Sequence, residues 1–225
     1  VRAGERASQM LAFSGRGARE MADVDLTGLV EEMADLLQAA IGENVRLEID
    51  RAPGLPRVRG RSSQLHQVIL NLVKNGSDAI GARSGVVTVR TRTVTLAPED
   101  LEGFKGSVKP GRHVSLEVAD TGSGMPAERV KRIFEPYFTT KDSGRGLGLA
   151  AVIGIVRGHD AAVRVESELG TGTCFQLVFP PMEDEPGETS PGSVDAELEG
   201  GDWLVLEVDD DREVRAIAED LLERT

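Results

Sequence analysis

Cysteine is nearly absent from this sequence. With Cys174 alone among 225 residues, no intramolecular disulfide can form and a cysteine-built zinc site has no ligand set. Long apolar runs are also missing: nothing approaches the roughly 18 residues of a membrane span, and the N-terminus lacks the apolar core of a signal peptide. There is no GxxxxGK[ST] phosphate loop, and no GxGxxG follows a strand-like run, so neither a P-loop nor a dinucleotide-binding fold is indicated. No internal repeat is visible. A concentrated basic stripe is lacking too, which removes the electrostatic reason to expect duplex nucleic acid as a partner.

What is present, 40% apolar and 28% charged residues, suffices for one ordinary domain of roughly 100–200 residues with smaller attachments. The formal charge of −12 is unevenly spread. Residues 1–181 are close to neutral, 182–202 hold eight acids and no base, and 203–225 hold eight acids against three bases. The chain reads as soluble and cytoplasmic. Beginning at Val1 and ending at Thr225 inside an apparent helix, it also reads as a piece of something longer.

Hydrophobic periodicity supplies the elements. Residues 2–20 carry Ala7, Met10, Leu11 and Ser14 at helical spacing, a narrow stripe suited to a partner helix. Leu26, Leu29, Val30, Met33, Leu36, Leu37 and Ile41 predict one broad amphipathic helix closed by Gly42. A strand is expected at 45–49, then a helix capped by Ser62 or Ser63 and running to Ile80. Alternation predicts antiparallel strands at 86–96 and 113–119. Residues 120–146 form a long loop around one short helix at 127–134, and loops that long are usually functional. A helix buried all round is expected at 147–156, then a hairpin of 162–166 with 173–179. Together these predict an α+β two-layer sandwich, helices covering one face of a mixed, mostly antiparallel sheet. Residues 182–202 read as a solvated acidic linker, and 203–208 as a strand followed by Asp209, Asp210, Asp211 and a helix start.

Three local patterns carry chemistry. On the helix at 62–80, Gln67, Asn71, Asn75 and Asp78 form a polar stripe opposite the apolar face. Asn is a poor helix-interior residue, so the stripe is either a solvated face or a source of one amide oxygen for a hard cation such as Mg²⁺, which completes its shell with waters and phosphates. Asp120-Thr-Gly-Ser-Gly-Met125 follows a strand: it is either a plain turn or a place where bare backbone and a carboxylate meet a ligand's exocyclic amine. Gly144-Arg-Gly-Leu-Gly-Leu149 runs into a helix, so it is either a hinge or an anion site of free N–H groups.

In this order, with Phe134-Glu-Pro-Tyr-Phe-Thr-Thr-Lys141 between the second and third and Gly170-Thr-Gly-Thr-Cys-Phe175 closing, the motifs resemble the N, G1, F and G2 boxes of the GHKL ATP-binding domain. Within that superfamily they are similar to sensor histidine kinases. The resemblance covers about residues 25–181 and implies the Bergerat fold, with ATP and Mg²⁺ as cofactors. It implies Asn75 as the Mg²⁺ ligand, Asp120 as acceptor for the adenine amino group, Gly122 and Gly124 as close backbone, and Thr173 as support at the adenine end. Gly144, Gly146, Leu147 and Gly148 would approach the phosphates, with Lys141 and Arg145 supplying charge from a lid. Asn71, Asp78, Met125 and Leu149 complete the implied nucleotide site, Asn71 and Lys141 in the catalytic set.

Asn71 stands where water-activating relatives carry a Glu. An amide cannot act as a base, so the resemblance implies γ-phosphate transfer rather than efficient hydrolysis. The division it suggests is 1–22 as the end of a dimerisation helix, 23–181 as the catalytic ATP-binding domain, 182–202 as linker, and 203–225 as the start of a receiver domain with Asp209 and Asp210 as its acidic pair. None of His66, His113 and His159 has a phosphoacceptor's context; each reads as a satisfied or solvent-exposed histidine. The resemblance places the acceptor histidine on dimerisation helices of the same parent kinase, which it implies to be a homodimer, with a receiver domain downstream. Competing readings are a nucleotide-binding GHKL scaffold or pseudokinase, and a GHKL serine kinase. Three positions depart from the pattern: Gly76 where Ala is usual, Arg61 where an Asp usually caps the helix, and Ala161-Ala162 where Gly is usual.

Overall fold

A computed structural model describes residues 21–140 and 146–182. Within them the chain forms β1 (Ala22–Val24), α1 (Leu26–Glu32), α2 (Ala34–Ala40), β2 (Val45–Arg51), β3 (Val58–Gly60), α3 (Ser62–Ile80), β4 (Gly85–Leu96), β5 (Lys105–Gly106), β6 (Gly111–Asp120), α4 (Ala127–Arg132), α5 (Gly148–Arg157), β7 (Ala162–Glu168) and β8 (Gly172–Phe179). The main sheet runs β2-β4-β6-β8-β7-β5. Only the β2–β4 pair is parallel, so the expected mixed, mostly antiparallel sheet is present.

Alternation along the strands sorts the two faces. Val87, Val89, Val114, Leu116, Val118, Phe175 and Leu177 point to one side. There they join Leu65, Val68, Ile69, Leu72 and Val73 of α3, Val152, Ile153 and Val156 of α5, and Leu26, Leu29, Val30 and Leu37 of α1 and α2 in one core. The opposite face is largely polar, apart from a small second cluster in which Leu101, Phe104 and Val108 of the β4–β6 connection cover Leu96, Ala162 and Val178.

Three local expectations are corrected, and one pairing appears that the periodicity did not predict. The helix expected over 25–41 is two helices broken at Met33; Asp25 caps the first by accepting from the Thr27 and Gly28 N–H groups. The cap of α3 is Arg61, not Ser62 or Ser63, and it makes no side-chain cap bond. The helix expected to be buried all round, α5, buries only Val152, Ile153 and Val156. A separate two-stranded sheet pairs β1 with β3, and Pro181 bridges to Val58 on β3 as well.

Candidate functional site

The site is organised by α3. Its apolar side faces the sheet, which leaves Gln67 and Asp78 exposed and Asn71 and Asn75 half-buried along its other side. Asn75 and Asp78 each interact with another group of the chain. Asn71 lies one helical turn, about 5–6 Å, before Asn75, and its amide donates to the Gly148 carbonyl at 3.4 Å. The start of α5 is thereby tied to the middle of α3.

At its other end α3 meets the segment after β6. The Ser123 N–H donates to the Ala79 carbonyl at 3.0 Å. A methyl built on Gly76 would stand 3.0 Å from the Asp120 Cβ and 3.5 Å from its Oδ2, so Gly76 lets the helix lie directly against this carboxylate. Asp120 Oδ1 accepts the Gly122 N–H at 2.8 Å. Burial pushes the Asp120 pKa up, while the Gly122 and Thr173 N–H groups pull against that shift.

The glycines here are required by the chain itself. Gly124 has φ +62, and a Cβ on it would lie 1.8 Å from the Glu168 carbonyl oxygen; Gly122 would drive one into Ala79. Gly146, at φ +65, packs on the Tyr137 backbone, whose N–H donates to the Gly146 carbonyl at 2.9 Å. Gly148, by contrast, has only the Asn71 amide nearby, 3.8 Å from where a methyl would stand.

Thr173 is buried opposite Asp120 on β8. Its hydroxyl pairs with Ser167 Oγ at 2.9 Å, and Ser167 accepts the Met125 N–H at 2.9 Å. Ser167, which no spacing in the sequence marks, thus joins three parts of one end of the site. Leu149 packs against the core, and Leu147 is exposed. Lys141, Gly144, Arg145, Asp209 and Asp210 lie outside the described residues, as do the expected dimerisation-helix end and receiver fragment.

Two of the three histidines are satisfied as expected. His113 Nδ1 pairs with the Gly111 carbonyl at 3.1 Å, and both ring nitrogens of buried His159 are bonded. His66 departs from the expectation: its Nε2 is buried without a hydrogen-bond partner, and burial lowers its pKa against the opposing pull of Glu32. Among the described residues no group of three or more His, Cys, Asp or Glu side chains could hold a metal. A lone amide such as Asn75 fits a Mg²⁺ that brings phosphate and water ligands with it.

Comparison with known proteins agrees with this architecture. Residues 60–184 match the family of histidine kinase-, DNA gyrase B- and HSP90-like ATPases. The chain is 34% identical over 223 residues to the sensor kinase CckA of Brucella abortus, covering 95% of this chain and 23% of that protein. It is 38% identical over 168 residues to the sensor histidine kinase ZraS of Klebsiella oxytoca, covering 73% and 33% respectively. The mycobacterial sensor histidine kinase MprB superposes with TM-score 0.56 at 27% identity, over 72% of this chain and 100% of that one. Full-length ShkA in complex with AMPPNP superposes with TM-score 0.57 at 28% identity, over 79% and 35%. The chain thus spans a third or less of these two curated relatives. It belongs to the histidine kinase-, DNA gyrase B- and HSP90-like ATPase family, the GHKL superfamily.

Proposed function

We propose that this domain binds ATP with Mg²⁺ and donates the γ-phosphate to a histidine on a dimerisation helix of its parent kinase, in the cytoplasm, with a receiver domain as the next acceptor. The observation that carries this reading is the mounting of three motifs on one helix. Asn71 touches the start of α5, Gly76 and Ala79 touch the Asp120 segment, and Asn75 lies between them. From Asn71 to Ala79 is about 12 Å of helix at 1.5 Å per residue, a span suited to an extended nucleotide.

In this reading the ionised Asp120 accepts from the adenine amino group, and the backbone at 146–148 faces the phosphates at the start of α5, where the helix dipole favours negative charge. Lys141 and Arg145 add positive charge. Asn75 would hold Mg²⁺, which neutralises phosphate charge when bound. Phosphoryl transfer is governed by positioning and charge neutralisation, and that is the work these groups are placed for. Asn71, committed to the Gly148 carbonyl, positions α5 and has no basic atom with which to activate water.

Titrating the chain with ATP and Mg²⁺ tests the reading. Asp120→Asn is expected to lose ATP binding, and Asn75→Ala to lose its Mg²⁺ dependence. Wild-type affinity in both variants would overturn the site.

A further inference from the structure

His159 lies beyond the C-terminal end of α5, outside every motif above, and is 2% exposed. Its Nδ1 faces the Ile155 carbonyl at 2.7 Å, and its Nε2 accepts the Arg61 N–H at 2.9 Å. A carbonyl only accepts and an N–H only donates, so the two bonds fix a neutral ring with the proton on Nδ1. The ring also lies against β3: a methyl on Gly60 would stand 3.0 Å from its Cδ2.

Two polar pins therefore join α3 and α5. One couples Asn71 to Gly148, the other Arg61 to His159. The start of α3 meets the end of α5 and the middle of α3 meets its start, so the helices run antiparallel. The pins are about 15 Å apart on α3 and about 16 Å apart along α5 and its extension, at 1.5 Å per residue. The two spans match, and Leu65, Val68, Leu72, Val152 and Val156 of the two helices belong to one core. All three bonds are part-buried, but the pin at Asn71 is long at 3.4 Å, whereas those of His159 are 2.9 and 2.7 Å.

We propose that His159 is a positioning residue for the phosphate end of the site. By anchoring the far end of α5 to the cap residue of the N-box helix, it sets where the backbone of residues 146–148 stands relative to Asn71 and Asn75. This rests on the nucleotide reading above. It assigns His159 a role in triphosphate recognition that neither its position in the sequence nor its distance from the motifs suggests.

The test uses the full chain with His159→Leu, which keeps bulk but removes both bonds, and His159→Gln, whose amide can accept the Arg61 N–H. ATP with Mg²⁺ and adenosine are titrated separately. Loss of a buried hydrogen bond predicts about tenfold weaker ATP binding in His159→Leu. Adenosine affinity should stay within about twofold, and His159→Gln should recover most of the ATP affinity. Equal weakening of ATP and adenosine, or unchanged ATP binding in folded His159→Leu, overturns the proposal. If His159→Leu does not fold, hydrogen exchange on the wild type decides: ATP with Mg²⁺ must slow exchange at the Arg61 amide, because coupling between two sites is reciprocal, and an unchanged rate refutes it. Failure of wild type to bind ATP would remove the nucleotide reading itself, whereas normal binding with an indifferent His159 removes only this inference.

Discussion

Asp120 gives the proposed site a pH dependence. Its pKa is raised from the ordinary 3.8, chiefly by burial. A carboxyl whose pKa is higher in the fold than in the unfolded chain costs stability when ionised, and that cost vanishes as pH falls through the folded pKa. In the proposed site nucleotide binding has the opposite requirement, since only the ionised carboxylate accepts fully from an adenine amino group. ATP affinity is therefore expected to be greatest well above the Asp120 pKa and to fall as pH drops through it, earlier than an ordinary carboxylate would allow. Carbon-13 NMR of the Asp120 carboxyl checks this directly. The free protein should titrate above 3.8, and saturation with ADP should move the midpoint down. A midpoint that ADP leaves unmoved would separate Asp120 from the base. The carboxylate is legible in the sequence as a candidate because it ends an alternating strand just before Gly-Ser-Gly. Its neighbours Ala79 and Ser167 are not, since they meet the segment after Asp120 through bonds to Ser123 and Met125, far away along the chain.

Among the helices, α3 combines a long apolar stripe with a start that has no side-chain cap. Arg61 has the extended N-cap backbone, φ −102 and ψ 109, yet its side chain caps nothing. Arg61→Asp supplies an acceptor for the first-turn N–H groups and a negative charge at the positive end of the helix dipole. It should stabilise the domain by about 1 kcal/mol, read as a rise in the urea midpoint, with the Arg61 backbone bond to His159 retained. An unchanged or lower midpoint would show that the interactions of Arg61 outweigh a cap. The long elements are legible for a physical reason: 19 residues of α3 and 12 of β4 repeat their period often enough to identify it. Strands β1 and β3 have three residues each and repeat nothing. The break at Met33 also lacks a signal, because the apolar spacing continues through it and no Gly or Pro marks it. In α5 composition misleads: Gly148, Ala150, Ala151 and Gly154 look apolar but fill little of the core, and Gly154 is exposed.

At the scale of the whole molecule, the sheet separates two kinds of chemistry. One face packs on α3 and α5 and positions the motifs proposed above to hold the nucleotide. On the other, Glu117 is nearly buried, its side chain 7% exposed, and takes Arg90 and Arg92 as ion-pair partners and Gln176 as a donor at 3.3 Å. Arg164 continues the ladder through Gln176 at 2.7 Å, and Arg90 reaches Asp50 at 2.7 Å. A small cavity of about 140 Å³ lies among Arg92, Glu117, Arg164, Glu166, Cys174 and Gln176. Burial first, then Glu117 and Glu166, push the Cys174 thiol up to about 11, so this cysteine is held as the inert thiol. Glu117→Gln removes the charge and keeps the shape. Its arginine partners are 38% and 46% exposed and can return to water, so the loss should be about 1–2 kcal/mol rather than the roughly 3–5 of a fully buried pair. The same change lowers the Cys174 pKa and should speed thiol modification by a disulfide reagent at about pH 8–9. ATP affinity should remain within about twofold of wild type, because the core separates Glu117 from α3. Faster Cys174 modification with intact nucleotide binding would establish that the two faces act independently. A parallel loss of ATP binding would show that the charge ladder reaches through the sheet to Asp120, on the same strand.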